Sequence, residues 1–424
     1  MKYDIIIIGA GPAGTQCAIE LAKQNLNVLI IEKESPGRYK PCGGGLTYKN
    51  YEFGKLPSHL VERNLDIFVF GGRKEEASVN LKENEFDYGQ LVYRNEFDLY
   101  LQDVAVKSGA HINYQQEVGN IYRYEDRIEV EIKGSGEKII GDVAVIATGA
   151  KQGNLLAKFS DLDSIKDFVF AIQGEYKLSE DIIDERFGGG SWNIYFDSNL
   201  IGPHGYAWIF TKKEGLTVGY LEKKVSKDQF KSIITKHPLI KEKMEGTIPK
   251  KIRGKHMWAA PIADRMSEYQ YSDRILVIGE AAGVIDRFYY EGIWQARKTG
   301  QIAANTLMKA FKKRDFSRWR LKSYENAFRK ELYLKPFIGI YDSRDWHHFY
   351  YHSGYLDQFV DAIITTLKDE EFMKLLMKKS KQEGLGDIFS NETLQTKIVE
   401  NLQKITDKNT FNLMFKEMKR IIIN

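Results

Sequence analysis

The chain has 424 residues, 43% of them hydrophobic and 28% charged, with 62 basic against 58 acidic side chains for a net charge of +4. This balance argues against a disordered chain and against bulk nucleic-acid binding. Two cysteines, Cys17 and Cys42, exclude a disulfide framework and a cysteine-rich zinc site.

The length exceeds one simple core and predicts two intertwined domains. Residues 3–8 form an apolar, β-branched run ended by glycine, which predicts a buried parallel strand. The run lacks a basic flank and enters glycines directly, so it is not read as a signal peptide. Gly9-Ala10-Gly11-Pro12-Ala13-Gly14 follows, a GxGxxG, then helical apolar spacing at Cys17, Ala18, Leu21 and Ala22. Cys17 falls on the core face of that helix. Asn27 to Ile31 predicts a second strand closed by Glu32. Gly9 allows the tight turn, Gly11 lets backbone reach a pyrophosphate, and Gly14 lets helix and strand pack closely. The helix start offers N–H groups and a positive dipole to phosphates. Glu32 lies 18 residues after Gly14, where a carboxylate accepts ribose hydroxyls and repels a 2′-phosphate, disfavouring NADP. The competing reading is a glycine-rich turn with a solvated Glu32. The ordered strand, glycines, helix, strand and acid favour a dinucleotide.

Pro41-Cys42-Gly43-Gly44-Gly45-Leu46 is a glycine loop whose backbone can approach a planar ring closely. Tyr93 to Leu101 predicts a helix opening at Arg94, with an ion pair to Glu96 or Asp98 as the competing use of that arginine. Gly134–Gly136 and Gly188–Gly190 lack a following helix and acid and read as turns. Asp142 to Gly149 predicts a strand ending in Ala147-Thr148-Gly149. Residues 52–85 and 151–265 lack a βαβ rhythm and show alternating strands near Ile194 and at Leu216 to Tyr220. These predict an antiparallel substrate-binding sheet inserted into the nucleotide domain. Tyr206 and Trp208 alternate along a strand and share a face, either a channel wall or an aromatic sheet core. Arg274 to Gly283 predicts another strand, turn and helix start. No second strand–GxGxxG–helix unit occurs. From about 311 the chain reads as helical, with Phe359, Ile363 and Leu367 on one face and Leu394, Ile398, Leu402 and Ile405 on another. Residues 309–335 carry ten basic and three acidic side chains, which suit an acidic carrier, lipid headgroups or a solvated face. His348 and His352, in the aromatic segment 337–355, have helical metal spacing without a carboxylate partner, and no metal site is expected. No apolar run approaches the roughly 18 residues of a spanning helix. The expected location is the cytoplasm, with peripheral contact at the inner membrane face as an option.

Several of these segments resemble flavoprotein motifs and point to FAD. Asp142 to Gly149 resembles the Ala-Thr-Gly strand of two-dinucleotide flavoproteins. Arg274 to Gly283 resembles the Gly-Asp motif whose acid holds the ribityl chain, with Glu280 in place of Asp. Arg94 to Leu101 resembles the Arg-x-x-Phe-Asp-x-x-Leu helix start that lies against the flavin. Over residues 1–310 the chain resembles the geranylgeranyl reductase family of FAD flavoproteins. Three motifs carry this: Pro41 to Leu46, Gly205-Tyr206-Ala207-Trp208-Ile209-Phe210, and Gly279 to Ile293 with its Glu291-Gly292-Ile293 end. Thr211 stands where the family has Pro, and Tyr289-Tyr290 replace small residues, which bears on the substrate taken.

The resemblance implies an α/β chain. A Rossmann-type FAD-binding domain of the aromatic-hydroxylase/glutathione-reductase kind (1–51, 86–150 and 266–310) would carry the inserted sheet (52–85 and 151–265). A C-terminal helical region (311–424) would follow. It implies cofactor contacts at Gly9, Gly11, Ala13, Gly14, Glu32, Cys42, Gly43, Gly45, Arg94, Gly149, Glu280, Gly283, Gly292 and Ile293. Val118 is placed among them. Cys42, Tyr206 and Trp208 would face the substrate, Cys42 either as a thiol at the flavin or as a small buried hydrophobe. The implied activity is hydrogenation of isolated double bonds in geranylgeranyl chains, on archaeal-type glycerophospholipids or on geranylgeranyl diphosphate. NAD(P)H or a ferredoxin-like carrier would supply electrons. Such a site excludes water and tolerates passing cationic charge, which suits the rings of Tyr206, Trp208, Tyr289 and Tyr290. Aromatic residues make up 12% of the chain, and their clusters at 206–210, 288–290 and 346–355 suggest a ring-lined tunnel. A flavin monooxygenase on the same fold and a non-enzymatic prenyl-binding escort protein are the alternatives.

Overall fold

The computed structural model describes residues 2–85, 87–151, 155–287, 289–333, 354–382 and 392–414. The chain forms two units, each discontinuous in sequence. One comprises Met1–Lys40, Asn95–Phe168 and Pro261–Lys335; the other comprises Pro41–Arg94, Val169–Ala260 and Pro336–Asn424.

The first unit is built on a sheet with strands in the order Tyr271–Ser272, Ile275–Val277, Lys138–Ile146, Lys2–Ile8, Val28–Ile31 and His111–Asn113. Its centre is parallel: Ile5 sits opposite Val143 on one side and Val28 on the other. Isoleucine and valine suit strands covered on both faces, and Ile5, Ile6, Ile7, Val28, Leu29 and Ile30 are buried. One face packs on the helices Pro12–Ala22, Ile293–Lys313 and Arg318–Phe328. The other face packs under an antiparallel pair, Val118–Arg123 with Ile128–Ile132, together with Leu155, Leu156, Phe159 and Leu162. Cys17 is fully buried in the helical core, where burial pushes its thiol well above the ordinary range.

The second unit carries a sheet ordered Ile248–Lys250, Phe168–Lys177, Gly215–Glu222, Ala207–Lys212, Ser191–Tyr195, Ile67–Gly71 and Glu76–Asn80. It is antiparallel as expected, except that Ser191–Tyr195 runs parallel to Ile67–Gly71. These two strands come from distant segments, and a long connection permits parallel pairing where a hairpin would not. One face buries Ile194's neighbours Tyr195, Ala207, Ile209, Val218 and Tyr220 against the helices Glu180–Phe187, Lys227–Lys236 and Pro238–Lys243.

The helical tail does not form one region. Leu321, Tyr324 and Phe328 are buried in the first unit's core. Leu356–Leu367 packs in the second unit, where Val360 and Ile364 lie over Gly72 and Arg73 pairs with Asp357 at 2.7 Å. Glu392–Ile405 is bound to that helix, with Asn401 Nδ2 donating to Thr366 Oγ1 at 3.0 Å. Leu394, Ile398 and Leu402 are buried as expected, whereas Ile405, the last residue of the helix, is exposed. Segment 337–353 with Trp346, His348 and His352, and also Phe288, lie outside the described residues.

Candidate functional site

In the first unit, the Pro12–Ala22 helix starts at Gly11 with no side-chain cap, so its leading N–H groups can serve an anion. A Cβ on Gly14 would lie 2.0 Å from the Gly9 carbonyl oxygen. Ala13 faces Gly279, whose own Cβ would stand 2.8 Å from the Ala13 methyl. Glu32 is buried at the end of the second strand. Its Oε2 accepts the Ala10 N–H at 2.8 Å and its Oε1 accepts the Glu34 N–H at 3.0 Å. The carboxylate ties the turn to the strand, and its oxygens have further lone pairs that could accept hydroxyl donors. Arg38 was not anticipated. Its Nη2 lies 3.3 Å from Asp98 Oδ2 and 3.7 Å from where a Gly11 Cβ would stand, a guanidinium at the phosphate turn. Glu32→Ala strips a partner from two backbone N–H groups at about 1–3 kcal/mol each. FAD affinity is expected to fall roughly tenfold or more, measured by flavin fluorescence titration.

Gly149, Glu280 and Lys40 come together in the same unit. The Glu280 carboxylate pairs with Lys40 Nζ at 3.1 Å, and a Cβ on Gly149 would stand 3.5 Å from Glu280 Oε2. Beside them the Thr148 hydroxyl is buried with no hydrogen-bond partner among the described residues. Gly279–Ala282 is a single 3₁₀ turn rather than the start of a helix; the long helix begins only at Ile293, after Gly292. At that helix start Glu291 Oε1 accepts the Trp294 N–H at 3.5 Å and Glu291 Oε2 accepts from Gln295 Nε2 at 3.1 Å, while Gln295 Oε1 is buried with no partner among the described residues. Gly283 turns with φ 71° and packs its Cα against Arg265, where a Cβ would stand 2.1 Å from the carbonyl oxygen. Val118 is buried in the sheet core. An uncapped helix start at Gly11, an acid at the second strand and an orphaned hydroxyl beside Gly149 fit a dinucleotide carrying a ring system. FAD supplies hydride transfer when bound.

Tyr290 lies in left-handed backbone, φ 50°, an uncommon conformation for a bulky side chain. Its hydroxyl donates to Asp264 Oδ1 at 2.9 Å, and Arg287 Nη2 donates to the same oxygen at 3.4 Å. Asp264 is buried and was not anticipated from sequence.

In the second unit, alternation along Ala207–Lys212 puts Trp208, Phe210 and Lys212 on the face away from the helices. Tyr206 precedes the strand with its ring 6.1 Å from that of Trp208. Trp192 stands 4.7 Å from Phe210, and Phe196 5.6 Å from Tyr206. Trp208 crosses Gly219, and its Nε1 is buried with no partner among the described residues. The glycine loop lies against rings of the sheet. A Cβ on Gly43 would stand 2.3 Å from Phe210, and one on Gly45 3.0 Å from Trp192. Phe210 and Trp192 alone are enough to require glycine at both positions. Cys42 is half-buried. Arg94 is buried at the first turn of the Arg94–Lys107 helix.

Lys212 closes the aromatic row and is fully buried. Its Nζ donates to the Gly43 carbonyl oxygen at 2.8 Å and lies 5.5 Å from the Tyr93 ring centroid. Burial pulls the ammonium down to about 8, against the opposing pull of Glu175, Glu62 and the Cys42 sulfur. Sequence reading missed it, although the strand's alternation carries it onto the face of Trp208.

The fold and the nucleotide end define an FAD-dependent oxidoreductase. Residues 3–185 match the pyridine nucleotide-disulphide oxidoreductase family. An uncharacterised protein of Methanosarcina barkeri is 30% identical over 80% of this chain and 83% of its own length. The digeranylgeranylglycerophospholipid reductase of Methanocaldococcus jannaschii is 28% identical over 78% of this chain and 83% of its own. A geranylgeranyl bacteriochlorophyll reductase-like protein of Thermoplasma acidophilum has the same fold, with a TM-score of 0.75, 18% identity and 99% of both chains covered. The halogenase PltM, solved with FAD, shares the fold at a TM-score of 0.66 and 14% identity over 99% of this chain and 97% of its own. The chain belongs to the geranylgeranyl reductase family of FAD flavoproteins and is an oxidoreductase of that type.

Proposed function

We propose that the chain saturates isolated double bonds of geranylgeranyl chains on a glycerophospholipid, as a step in membrane lipid synthesis. The relatives named as digeranylgeranylglycerophospholipid reductases support this. The observation that carries it in the structure is the buried row Tyr206, Trp208 and Phe210, with Trp192 beside it. Such a surface excludes water and offers ring faces to an apolar chain and to developing positive charge. An unactivated alkene develops no oxyanion, so ring faces rather than hydrogen-bond donors are the fitting wall.

In this reading Glu32, Arg38 and the Gly11 helix start hold the nucleotide, and Glu280 with Lys40 holds the ribityl end. The dipole of the helix that begins after Gly292 stabilises negative charge on the reduced cofactor. Cys42, Tyr206 and Trp208 contact the substrate. The electron donor is NAD(P)H or a small ferredoxin-like carrier.

The decisive assay offers a geranylgeranylated glycerophospholipid to dithionite-reduced enzyme. A product gaining one H₂ per double bond supports the reading. A gain of one oxygen in aerated NAD(P)H would favour a monooxygenase, and a protein that cannot be loaded with FAD would leave only an escort role. Trp208→Ala is expected to lower turnover about tenfold or more while FAD content stays near wild type, since only the apolar chain loses its wall. Equal loss of both would mark Trp208 as structural.

A further inference from the structure

We propose that the end of the first unit's helix pair, centred on Trp319, docks on an anionic lipid surface. The proposal rests on the lipid-substrate reading above and names the surface by which the enzyme meets its substrate's bilayer.

Trp319 is 85% exposed, the most exposed large hydrophobic side chain among the described residues. It stands on the first turn of Arg318–Phe328, opposite Leu321 and Phe328, which are buried in the core. Ser317 caps that helix, accepting the Arg320 N–H at 3.4 Å, so the turn presenting the indole is held in place. The stripe continuing from Trp319 at helical spacing is Lys322, Ser323, Asn326 and Lys330, all exposed and with no acid. Lys322 Nζ lies 5.8 Å from the indole centroid. The preceding helix, Ile293–Lys313, ends one short link away with Lys309, Lys312 and Lys313 exposed. None of Lys309, Lys312, Lys313 or Lys322 makes an ion pair among the described residues. The acids nearby are engaged: Asp315 with Arg320 at 3.4 Å and Glu325 with Arg329 at 2.8 Å.

An exposed tryptophan with one lysine beside it and further unpaired lysines at the end of the preceding helix is the composition of a membrane-interface anchor. The indole suits the boundary between headgroup and acyl chain, and the lysines suit anionic headgroups. An acidic protein would match the charge, but it would have to supply a pocket for a protruding indole on an otherwise polar stripe. No helix among the described residues is long and apolar enough to cross a membrane, so surface attachment is the mode these residues can provide.

The test uses full-length, FAD-loaded protein and vesicles of phosphatidylcholine with or without phosphatidylglycerol. Wild type is expected to sediment with the anionic vesicles only, less so at high salt, with a blue shift in tryptophan emission. Lys312→Glu/Lys313→Glu/Lys322→Glu is expected to bind at least about tenfold more weakly. Trp319→Ser should lose the blue shift and weaken binding by roughly the same factor. Both variants should keep wild-type FAD absorbance and reduce detergent-dispersed lipid at the wild-type rate. Wild type that ignores anionic vesicles, or binds them no better than the triple variant, overturns the docking proposal. So does a patch that binds a small acidic protein in place of vesicles. If detergent-dispersed lipid is reduced while vesicles are ignored, docking fails and the reductase reading stands. If vesicle binding follows the lysines and Trp319 while no lipid is reduced, docking stands and the reductase reading fails.

Discussion

Gly14→Ala should yield a protein that purifies without flavin colour and unfolds at markedly lower denaturant. The added methyl would stand 2.0 Å from the Gly9 carbonyl oxygen and 3.1 Å from Ile7 Cγ2. The first obstacle is backbone and cannot rotate away. Ile7 is fully buried in a parallel strand paired on both sides, through Val145 and Ile30. Relief therefore requires the Pro12–Ala22 helix to lift from the turn. Forced overpacking of a close-packed core costs about 1–3 kcal/mol, and more where backbone must move. The lift also re-aims the uncapped N–H groups proposed to hold the pyrophosphate, and a displaced anion site loses affinity faster than stability. FAD retention after gel filtration and urea midpoints of loaded and stripped protein separate the two losses. We expect FAD affinity to drop on the order of a hundredfold, by analogy with the cost of an ångström-scale misplacement. A yellow variant of normal stability would show that the helix and turn can part without consequence.

This turn was legible because everything that decides it is local. Strand, glycines, helix and acid occur within 32 residues, and each carries its own steric or electrostatic reason. Partners distant in sequence were not legible. Nothing in Lys40 announces Glu280, 240 residues away, and nothing in Ile67–Gly71 announces a parallel partner in Ser191–Tyr195. The closeness of Phe210 to Gly43 and of Trp192 to Gly45 was not legible, because those rings reach the loop only through tertiary packing. The extent of the tail's packing was similarly hidden: Ile405 shares the spacing of Leu402 but is exposed. Lys212 is a different kind of miss. The alternation that places Tyr206 and Trp208 on one face continues two residues past Phe210 to Lys212. A charged residue at that point reads as the strand's exposed end, and only burial shows otherwise.

Lys212 therefore makes a thermodynamic expectation that its neighbours do not. Its folded-state value of about 8 lies below the 10.5 of an unburied lysine, and burial is the chief cause. Below pH 8 both folded and unfolded chains carry the charge, and the folded chain bears the full desolvation penalty. Between about 8 and 10.5 the folded chain has released the proton and the unfolded chain has not. The unfolded state then binds more protons, so this group's contribution to stability rises with pH across that window and levels off above it. The span corresponds to on the order of 3 kcal/mol. Lys212→Met keeps the stem's bulk and removes the titration, along with the hydrogen bond to the Gly43 carbonyl oxygen. The stability difference, wild type minus variant, should climb by about that amount from pH 7 to pH 10.5, measured by urea denaturation of both proteins. Taking the difference cancels the titration of tyrosines and carboxylates common to both. A flat difference would mean that the ammonium is solvated or fully compensated in the folded chain. A climbing difference would establish a costly buried charge at the end of an aromatic row, retained beside the glycine loop and Cys42. Such a cost is expected where a group serves the site rather than the fold. Lys212→Arg supplies the complementary check, because a guanidinium stays charged throughout the range and should give the penalty without the slope.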